Sequence, residues 1–418
     1  MFNAEKEITK WAPVLDHADE APITDSYKKA VTAKLLENTQ TALRDQAVAS
    51  SFGSLREDAQ VNTGSIDTFD PVLISLVRRA MPNLIAYDVA GVQPMSGPTG
   101  LAFAMKARYG DGTDVVAGDV EALFNEADTD FSGTGTHAGE LFDSPESGIT
   151  TGTGIDTTVA EKSSALPEMG FTIEKSIVTA KTRQLKAEYS MELAQDLKAV
   201  HGLDAESELA NILSGEILAE INREIIRSIV VTGKLGGIGS TEAFDLVADA
   251  DGRWAVEKFQ SLIFQIEAEA NKIAIDTRRG KGNFVICSSN VASALAAAGK
   301  LVFGGENLNV DNAGNTFAGL LNGKLKVYVD PYANTDYATV GYKGASAYDA
   351  GLFYCPYVPL TMVRAVGENS FQPKIAFKTR YGLVANPITG VVDGIGGANT
   401  NPYYRTFRVK NINVGGQS

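Results

Sequence analysis

Residues 81–108, MPNLIAYDVAGVQPMSGPTGLAFAMKAR, are apolar enough to be buried but too interrupted to form one helix. The stretch contains three prolines and three glycines before residue 101. Proline lacks the main-chain N–H and clashes with the preceding helical turn, and it also disfavours a central strand. The stretch is therefore predicted to be an extended apolar segment between regular elements.

The chain before this stretch predicts a helix and then a linker. Asp25 has the short polar side chain of a helix N-cap. An apolar stripe at helical spacing follows it, formed by Val31, Leu35, Leu36 and Leu43. Residues 52–70 are small and polar, and we expect them to form an exposed linker.

The chain after this stretch predicts a polar loop, a strand and a long helix. Residues 109–170 are rich in Gly, Ser, Thr and Asp, and we expect an extended loop that contains a hairpin. Phe171 and Ile173 begin an alternating pattern that predicts a long solvent-facing strand over 171–189. Ser190 is expected to cap a short helix that Gly202 ends. Asp204 opens a helix that runs to Val231. Its apolar side is predicted to contain Leu209, Ile212, Leu213, Ile217, Ile221, Ile225 and Ile229.

The second half of the chain mixes helices with strands. Residues 253–276 have the pattern of an amphipathic helix, and NFVICSS after them has that of a buried strand. Strand patterns dominate from residue 324 onward. The predicted fold class is therefore α+β.

Composition places the chain among globular proteins of more than one subdomain. It has 418 residues, of which 44% are hydrophobic and 21% charged. We expect no transmembrane span, because no apolar run reaches about 18 residues. The first residues lack the apolar core of a secretory signal. Cys287 and Cys355 lie in apolar runs and are expected to be buried free thiols.

The formal net charge restricts the kinds of partner that the chain is expected to bind. The value of −14 disfavours binding to nucleic acid by phosphate neutralisation, because like charges repel. It is compatible with a protein that encloses nucleic acid without adsorbing it.

The residues needed for catalysis are scarce. The three histidines, His17, His137 and His201, share no metal-ligand spacing. Asp128 and Asp130 could bind a divalent cation weakly, but a solvated loop is the favoured interpretation. The glycine clusters GKLGGIGS and DGIGGAN lack the strand and helix that flank a phosphate loop. We therefore expect no enzyme, no metal and no cofactor.

Residues 77–109, VRRAMPNLIAYDVAGVQPMSGPTGLAFAMKARY, resemble the major capsid proteins of T-even-like tailed phages of the myovirus type. The resemblance continues in EINREII, GKGNFVICSSNV, KVYVDPYA, DAGLFYCPYVPL and FQPKIAFKTRYGL. These blocks run in family order from about residue 70 to 410. The loop over 110–166 is short compared with that family, so its insertion domain is expected to be absent or reduced.

The resemblance implies the HK97-like capsid fold and its parts. They are an N-terminal assembly segment (1–57), an N-arm (58–95), an E-loop with a reduced insertion (96–180), a peripheral domain with a spine helix (181–235), an axial domain (236–370) and a return to the peripheral domain (371–418).

Two sets of functional residues follow from the resemblance. Relatives lose an N-terminal segment to a phage maturation protease that cuts after a Leu/Ile-x-Glu sequence. Leu55 and Glu57, followed by Asp58, offer such a site here. The opening stretch would be an arm that docks on a neighbouring subunit, and the alternative is that it packs only on its own subunit. Its candidate contact residues are Leu84, Ile85, Tyr87, Val89, Val92 and Met95.

The implied function is a major capsid protein that assembles into an icosahedral or prolate head shell around packaged double-stranded DNA. Its partners would be copies of itself in hexameric and pentameric capsomers, with a phage scaffold, a portal, the maturation protease and vertex or decoration proteins. No membrane partner is expected. The chain would act in the virion shell, after assembly in the host cytoplasm. The alternatives are an encapsulin-like compartment shell and a nucleotide-binding enzyme that uses GKLGGIGS.

Overall fold

The fold is described by a computed structural model. It covers residues 4–16, 23, 25–51, 78, 82, 84–110, 115–116, 118–123, 127–138, 150–162, 166–237, 243–250, 254–302, 316–366, 372–391 and 393–412. The chain divides into two compact units, of which the first contains Met1–Leu101 and Ile177–Ser418 and the second Ala102–Ser176. Helices and strands are mixed along the chain, so the predicted α+β class is confirmed.

The helices are α1 (Ala4–Leu15), α2 (Ser26–Ser51), α3 (Ala86–Val89), α4 (Thr157–Ala160), α5 (Met191–His201), α6 (Ala205–Thr232), α7 (Ala255–Thr277) and α8 (Ser289–Ala297). The strands are β1 (Gly91–Val92), β2 (Thr99–Tyr109), β3 (Met169–Thr179), β4 (Lys181–Glu188), β5 (Gly233–Leu235), β6 (Ala243–Asp245), β7 (Phe284–Ser288), β8 (Leu301–Val302), β9 (Thr316–Leu321), β10 (Leu325–Asp330), β11 (Tyr337–Gly341), β12 (Leu352–Val366), β13 (Pro373–Ala385) and β14 (Asn401–Lys410).

Two sheets organise the first unit. One has four strands in the order β1-β12-β13-β4, with β1 parallel to β12 and the other pairs antiparallel. The other has the order β5-β14-β11-β7-β10-β9-β8, with β6 paired to β14. Strand β7, whose sequence is FVICS, is buried along its whole length. This explains its continuous apolar run, because a strand covered on both faces does not alternate.

Helix α6 is the longest of the predicted helices, and its 28 residues span about 42 Å. Its core-facing side includes Leu213, Ile217, Ile221, Ile225 and Ile229, as predicted. The predictions for Leu209 and Ile212 were wrong, because Leu209 is only half-buried and Ile212 is exposed. After Ala205 the buried residues resume at Ala210, one residue beyond Leu209, which leaves Ile212 on the opposite side of the helix.

Ion pairs attach α6 to both sheets. An Arg223 guanidinium nitrogen lies 2.5 Å from Asp330 Oδ2 at the end of β10. The Tyr337 hydroxyl of β11 donates to the same carboxylate oxygen at 2.7 Å. On the other side, Arg183 of β4 pairs with Glu220 at 2.9 Å and with Glu224 at 2.6 Å. The helix and the two sheets are therefore joined by charged contacts as well as by the core.

The predicted helix caps are partly correct. Asp25 precedes α2, and its Oδ1 accepts from the Tyr27 N–H at 2.9 Å. Ser190 Oγ accepts from the Leu193 N–H at 3.2 Å, and Gly202 ends α5 with a φ of 68°. Asp204 takes the N-cap position of α6, but its side chain makes no capping hydrogen bond.

Sheet membership divides the chain differently from the predicted boundaries at 370 and 371. Strand β12 lies inside the range predicted as axial domain, yet it pairs with β13. Strand β14 lies inside the predicted return segment, yet it pairs with β11 in the larger sheet. Which sheet a strand belongs to depends on pairing with strands distant in sequence, and the order of the strands along the chain does not reveal that pairing.

Candidate interaction surface

A two-stranded ribbon, formed by β2 and β3, is the main feature of the second unit. Side chains of a strand alternate between its two faces. In both strands one set of alternate residues is mostly apolar and the other mixes small and charged side chains. The ribbon therefore has two chemically different faces.

The charged face of the ribbon is satisfied internally. Arg108 lies 2.9 Å from Glu174, and its Nε donates to Thr172 Oγ1 at 2.9 Å. Lys106 lies 3.1 Å from the same Glu174. The Arg108 guanidinium also donates to the main-chain oxygen of Asp119. These contacts fix the two strands and the following turn to each other.

The opposite face is apolar and uncovered. Its side chains lie two residues apart on each strand and are 63–66% exposed, and they are Phe103, Met105, Phe171 and Ile173. We call these four residues the ribbon face. Single exposed apolar residues are common in proteins, but a contiguous patch of large ones marks a site of contact with another molecule. The ribbon face can thus bind an apolar surface.

The expected arm residues lie in the chain's own core. Leu84, Ile85, Tyr87, Val89, Val92 and Met95 are all at most 7% exposed in the single chain. The Ile85 N–H donates to Asn222 Oδ1 of α6 at 3.2 Å, and Tyr404 of β14 donates to the Val89 oxygen at 3.3 Å. The broken apolar stretch therefore packs against its own subunit. A contact of these residues with a neighbour remains a prediction.

The candidate cleavage residues Leu55, Glu57 and Asp58 lie outside the described residues. The cut after Glu57 therefore remains a prediction. Helix α2, which ends at Ser51, is the described element closest to it in sequence.

The polar loop holds His137 near the two aspartates. His137 Nδ1 lies 3.0 Å from Thr129 Oγ1, and its main-chain N–H donates to Asp130 Oδ2 at 2.8 Å. That N–H keeps the pKa of Asp130 below its usual value. Asp128 Oδ1 accepts from the Asp130 N–H at 3.2 Å. These bonds are those of a turn that satisfies its own polar groups.

The remaining candidate groups are structural. Cys287 and Cys355 are buried free thiols, as predicted, and burial raises the pKa of each to about 12. Among the residues that the structure describes, no group of three or more His, Cys, Asp or Glu side chains is arranged to hold a metal ion. Within the same described residues, no helix has both the length and the hydropathy that crossing a membrane requires.

The ribbon face was missed as a site, although its signal was present in the sequence. Phe171 and Ile173 begin the alternation that predicted the strand, and TGLAFAMKAR before the loop alternates in the same way. Alternation of apolar and polar residues shows that a strand has two different faces. It does not show which of these faces the rest of the molecule covers. The burial of the neighbouring residues was needed to settle that.

Comparisons with known proteins agree on one family. The family model described as major capsid protein Gp23 matches residues 66–409. The major capsid protein of Salmonella phage ViI is 41% identical, with 98% of each chain covered. That of Enterobacteria phage T4 is 35% identical, covering 97% of this chain and 98% of the relative. Its alignment has 515 positions against the 418 residues here, so at least 97 positions face gaps in this chain.

More distant matches also have phage names. The capsid vertex protein of phage T4 is 31% identical over 55% of this chain and 56% of its own. Among solved structures, "The capsid of Myoviridae Phage XM1" is 12% identical, with a TM-score of 0.41, and covers 78% of this chain and 92% of that one. The chain from Mycobacterium phage Bobi is 11% identical with a TM-score of 0.40, covering 78% of this chain and 91% of its own.

Proposed function

The chain belongs to the Gp23 family of phage major capsid proteins, and from this premise we propose how its copies build the head shell. It is a structural protein of the virion with the HK97-like capsid fold of its family. The observation that carries this conclusion is the near full-length match to major capsid proteins at 35–41% identity. The proteins named in the comparisons are phage proteins, and none of those named supports the encapsulin-like alternative.

We propose that the ribbon is the E-loop, within residues 96–180, and that it reaches a neighbouring subunit. The ribbon face supports this, because four large apolar side chains stay uncovered in the single chain. Burying them against a second copy would stabilise the contact by roughly 25 cal/mol for each Å² of apolar area removed from water. Repeated around hexameric and pentameric capsomers, such contacts would give the shell its strength.

The N-terminal assembly segment, residues 1–57, is proposed to leave during maturation. The Leu55-Arg56-Glu57 sequence before Asp58 supports a cut by the phage maturation protease, and the small polar residues around it suit proteolytic access. The segment would first take part in assembly around an internal scaffold in the host cytoplasm. It would then be lost before DNA is packaged through the portal.

The other proposed partners follow from charge and from the vertex relatives. The net charge of −14 favours enclosing double-stranded DNA over binding it. The likeness to capsid vertex proteins favours a related protein at the vertices, with this chain on the faces. No catalytic role is proposed, because the buried thiols and the self-satisfied polar loop offer no activated nucleophile.

Electron microscopy and intact mass measurement of particles from infected cells test the proposal. Angular shells made of a chain that starts at Asp58 are the expected result. Shells made only of full-length chains in mature, DNA-filled particles would rule out the cut and leave the capsid function intact. Particles that lack this chain would overturn the function.

A further inference from the structure

Strand β1 forms an edge of the four-stranded sheet, and its pairing continues beyond the strand itself. The N–H groups of Gln93 and Met95 donate to the oxygens of Tyr354 and Pro356, both at 2.9 Å. Main-chain groups of an extended segment point alternately to either side. Gln93 therefore faces β12, while the main-chain groups of Val92 and Pro94 face away from it. We call residues 91–95 the sheet edge.

Side chains of helix α2 cover this sheet edge. The Tyr27 hydroxyl donates to the Val92 oxygen. Asn38 Nδ2 donates to the Met95 and Tyr357 oxygens, at 2.8 Å each, where the ladder ends. A sheet edge left open is a template for pairing with another strand, and proteins commonly cover it with a helix. Tyr27 thus supplies a donor that a further strand would otherwise supply, while Asn38 closes the end of the ladder between the sheet edge and β12.

Helices α1 and α2 are joined to each other by ion pairs of their own. Lys10 lies 2.6 Å from Glu37, and Lys34 lies 2.8 Å from Glu7. Lys29 lies 2.6 Å from Asp16, just after α1. Because these contacts stay within residues 1–51, the two helices can move away as a pair without breaking them.

Packing between this helix pair and the sheet edge is incomplete. A cavity of about 240 Å³ lies there, lined on the helix side by Tyr27 and Val31 and on the other side by Gln93, Pro94 and Tyr348. Side chains around such a void lose the dispersion contacts that they would make in a filled core. Packing is therefore incomplete beside Tyr27, although Leu15 and Leu35 of the helix pair join the same core cluster as Leu84.

We propose that the sheet edge, residues 91–95, is a docking site for an extended segment of a second copy of this chain, and that α2 occupies it until residues 1–57 leave. This rests on the proposed removal of residues 1–57. Departure of the helices uncovers the Val92 oxygen and the apolar groups around it, which an incoming strand can pair with and cover. In a shell the neighbour present at every position is another copy, and an edge that meets a different surface of that copy gives the heterologous contact that rings require.

The docked segment and the helix exclude each other, because both need the Val92 oxygen. The core side chains of Leu84, Ile85 and Val89 need not move in the exchange. The contact with a neighbour would then be made by the main chain of this stretch and not by its apolar side chains. Pro94 has no N–H, so pairing there is limited to its oxygen, which restricts the register of the incoming strand.

The test uses the full chain with a recognition sequence for a specific protease inserted between Glu57 and Asp58. Gel filtration, sedimentation and hydrogen exchange of residues 91–95 are compared before and after cutting. We expect the fragment of residues 1–57 to separate, the cut chain to self-associate, and residues 91–95 to be protected in the assembled product. The proposal is overturned if the fragment stays bound during assembly, or if residues 91–95 exchange in the product at the rate of an open edge.

Two variants sharpen the test, because the altered residues depart with the fragment. Tyr27→Phe and Asn38→Ala remove the donors to the sheet edge, and each should release the fragment at least threefold faster after cutting. Thr41→Ala, at an exposed position on the same helix, should release it at the wild-type rate. The cut products of all these chains are identical, so a difference in assembly rate must arise from release. Equal release by all chains would contradict the proposal.

This test separates failure of the docking site from failure of the capsid function. Closed shells in which α2 still protects residues 91–95 would overturn the docking site and leave the capsid function in place. Failure of both the uncut and the cut chain to assemble, together with its absence from phage particles, would overturn both.

Discussion

Leu84 shows what the broken apolar stretch contributes. Its side chain is 2% exposed and belongs to the same core cluster as Leu35, Ile225 and Tyr354. Docking on a neighbour alone would leave this side chain open in the isolated subunit, whereas here it helps to hold the subunit together. A change at this position should therefore first affect the folding of the single chain.

We expect Leu84→Ala to lower the free energy of unfolding by about 2–4 kcal/mol, because it leaves a cavity in the core. Urea unfolding of the unassembled chain measures this. Leu166→Ala, at a side chain that is largely exposed, is the control and should change the free energy by less than about 0.5 kcal/mol. Equal stability of the two variants would contradict the core position of Leu84.

Lys343 makes stability depend on pH. Burial lowers the pKa of its ammonium group to about 8, while the nearby Asp88 opposes this shift. Its Nζ donates to the main-chain oxygen of Tyr87. Between about pH 8 and the ordinary lysine pKa, the unfolded chain binds more protons at this group than the folded chain does. The contribution of Lys343 to stability therefore rises with pH in this window and is lost as pH falls through 8.

We expect the difference in unfolding free energy between wild type and Lys343→Met to change by about 1–2 kcal/mol from pH 7 to pH 9.5, in favour of wild type at the higher pH. Urea unfolding across this range measures it. The exposed Lys324→Met should follow the wild-type pH profile. Parallel profiles for Lys343→Met and wild type would argue against a lowered pKa.

At the scale of elements, the ribbon allows the proposed assembly contact to be tested separately from folding. Phe103 and Phe171 lie on its uncovered face, so polar replacements there cost the single chain little. The double variant Phe103→Ser, Phe171→Ser should unfold within about 1 kcal/mol of wild type, yet its yield of shells should fall at least tenfold. Val159→Ser, at an exposed site in the same unit, is the matched control for particle counts by electron microscopy. A normal yield would remove the ribbon face from the assembly contacts.

The ion pair between Arg223 and Asp330 connects helix α6 to the larger sheet. The Asp330 side chain is 1% exposed, so removing Arg223 leaves a buried carboxylate without its cation. We expect Arg223→Met to lower the free energy of unfolding by about 3 kcal/mol. Arg227→Met, one turn along the same helix at an exposed position, should cost less than about 1 kcal/mol in the same urea titration. Equal costs would mean that the pair does not hold the helix to the sheet.

For the whole molecule, the net charge of −14 should control association of the copies. Like-charged subunits repel over roughly 10 Å at 0.1 M salt, and added salt shortens this range. We expect the rate of self-association, followed by light scattering, to rise severalfold between about 0.05 and 0.3 M sodium chloride. A falling rate would indicate that attraction between opposite charges dominates the contacts.

Local rules predicted much of the fold and little of the candidate site. The caps at Asp25 and Ser190, helix α6 and the buried run FVICS depend on a few neighbouring residues, and they were predictable. Long-range pairing places β12 beside β13 and β14 beside β11. These pairings cannot be predicted from the local sequence pattern. The six expected arm residues were correctly recognised as residues to be buried. Sequence pattern could not identify which surface covers them, because burial within a chain and between chains requires the same apolar side chains.

The two free cysteines lie in different sheets, Cys355 in β12 and Cys287 in β7. A thiol reagent can modify each only when its own sheet opens, since both are buried and their raised pKa values keep them protonated at neutral pH. Pulse labelling followed by peptide mass spectrometry would therefore time the opening of each sheet separately in the wild-type chain. If the two sheets open as one, the labelling curves superimpose. If they open independently, the labelling rates of Cys355 and Cys287 differ, and each rate reports when its own sheet opens.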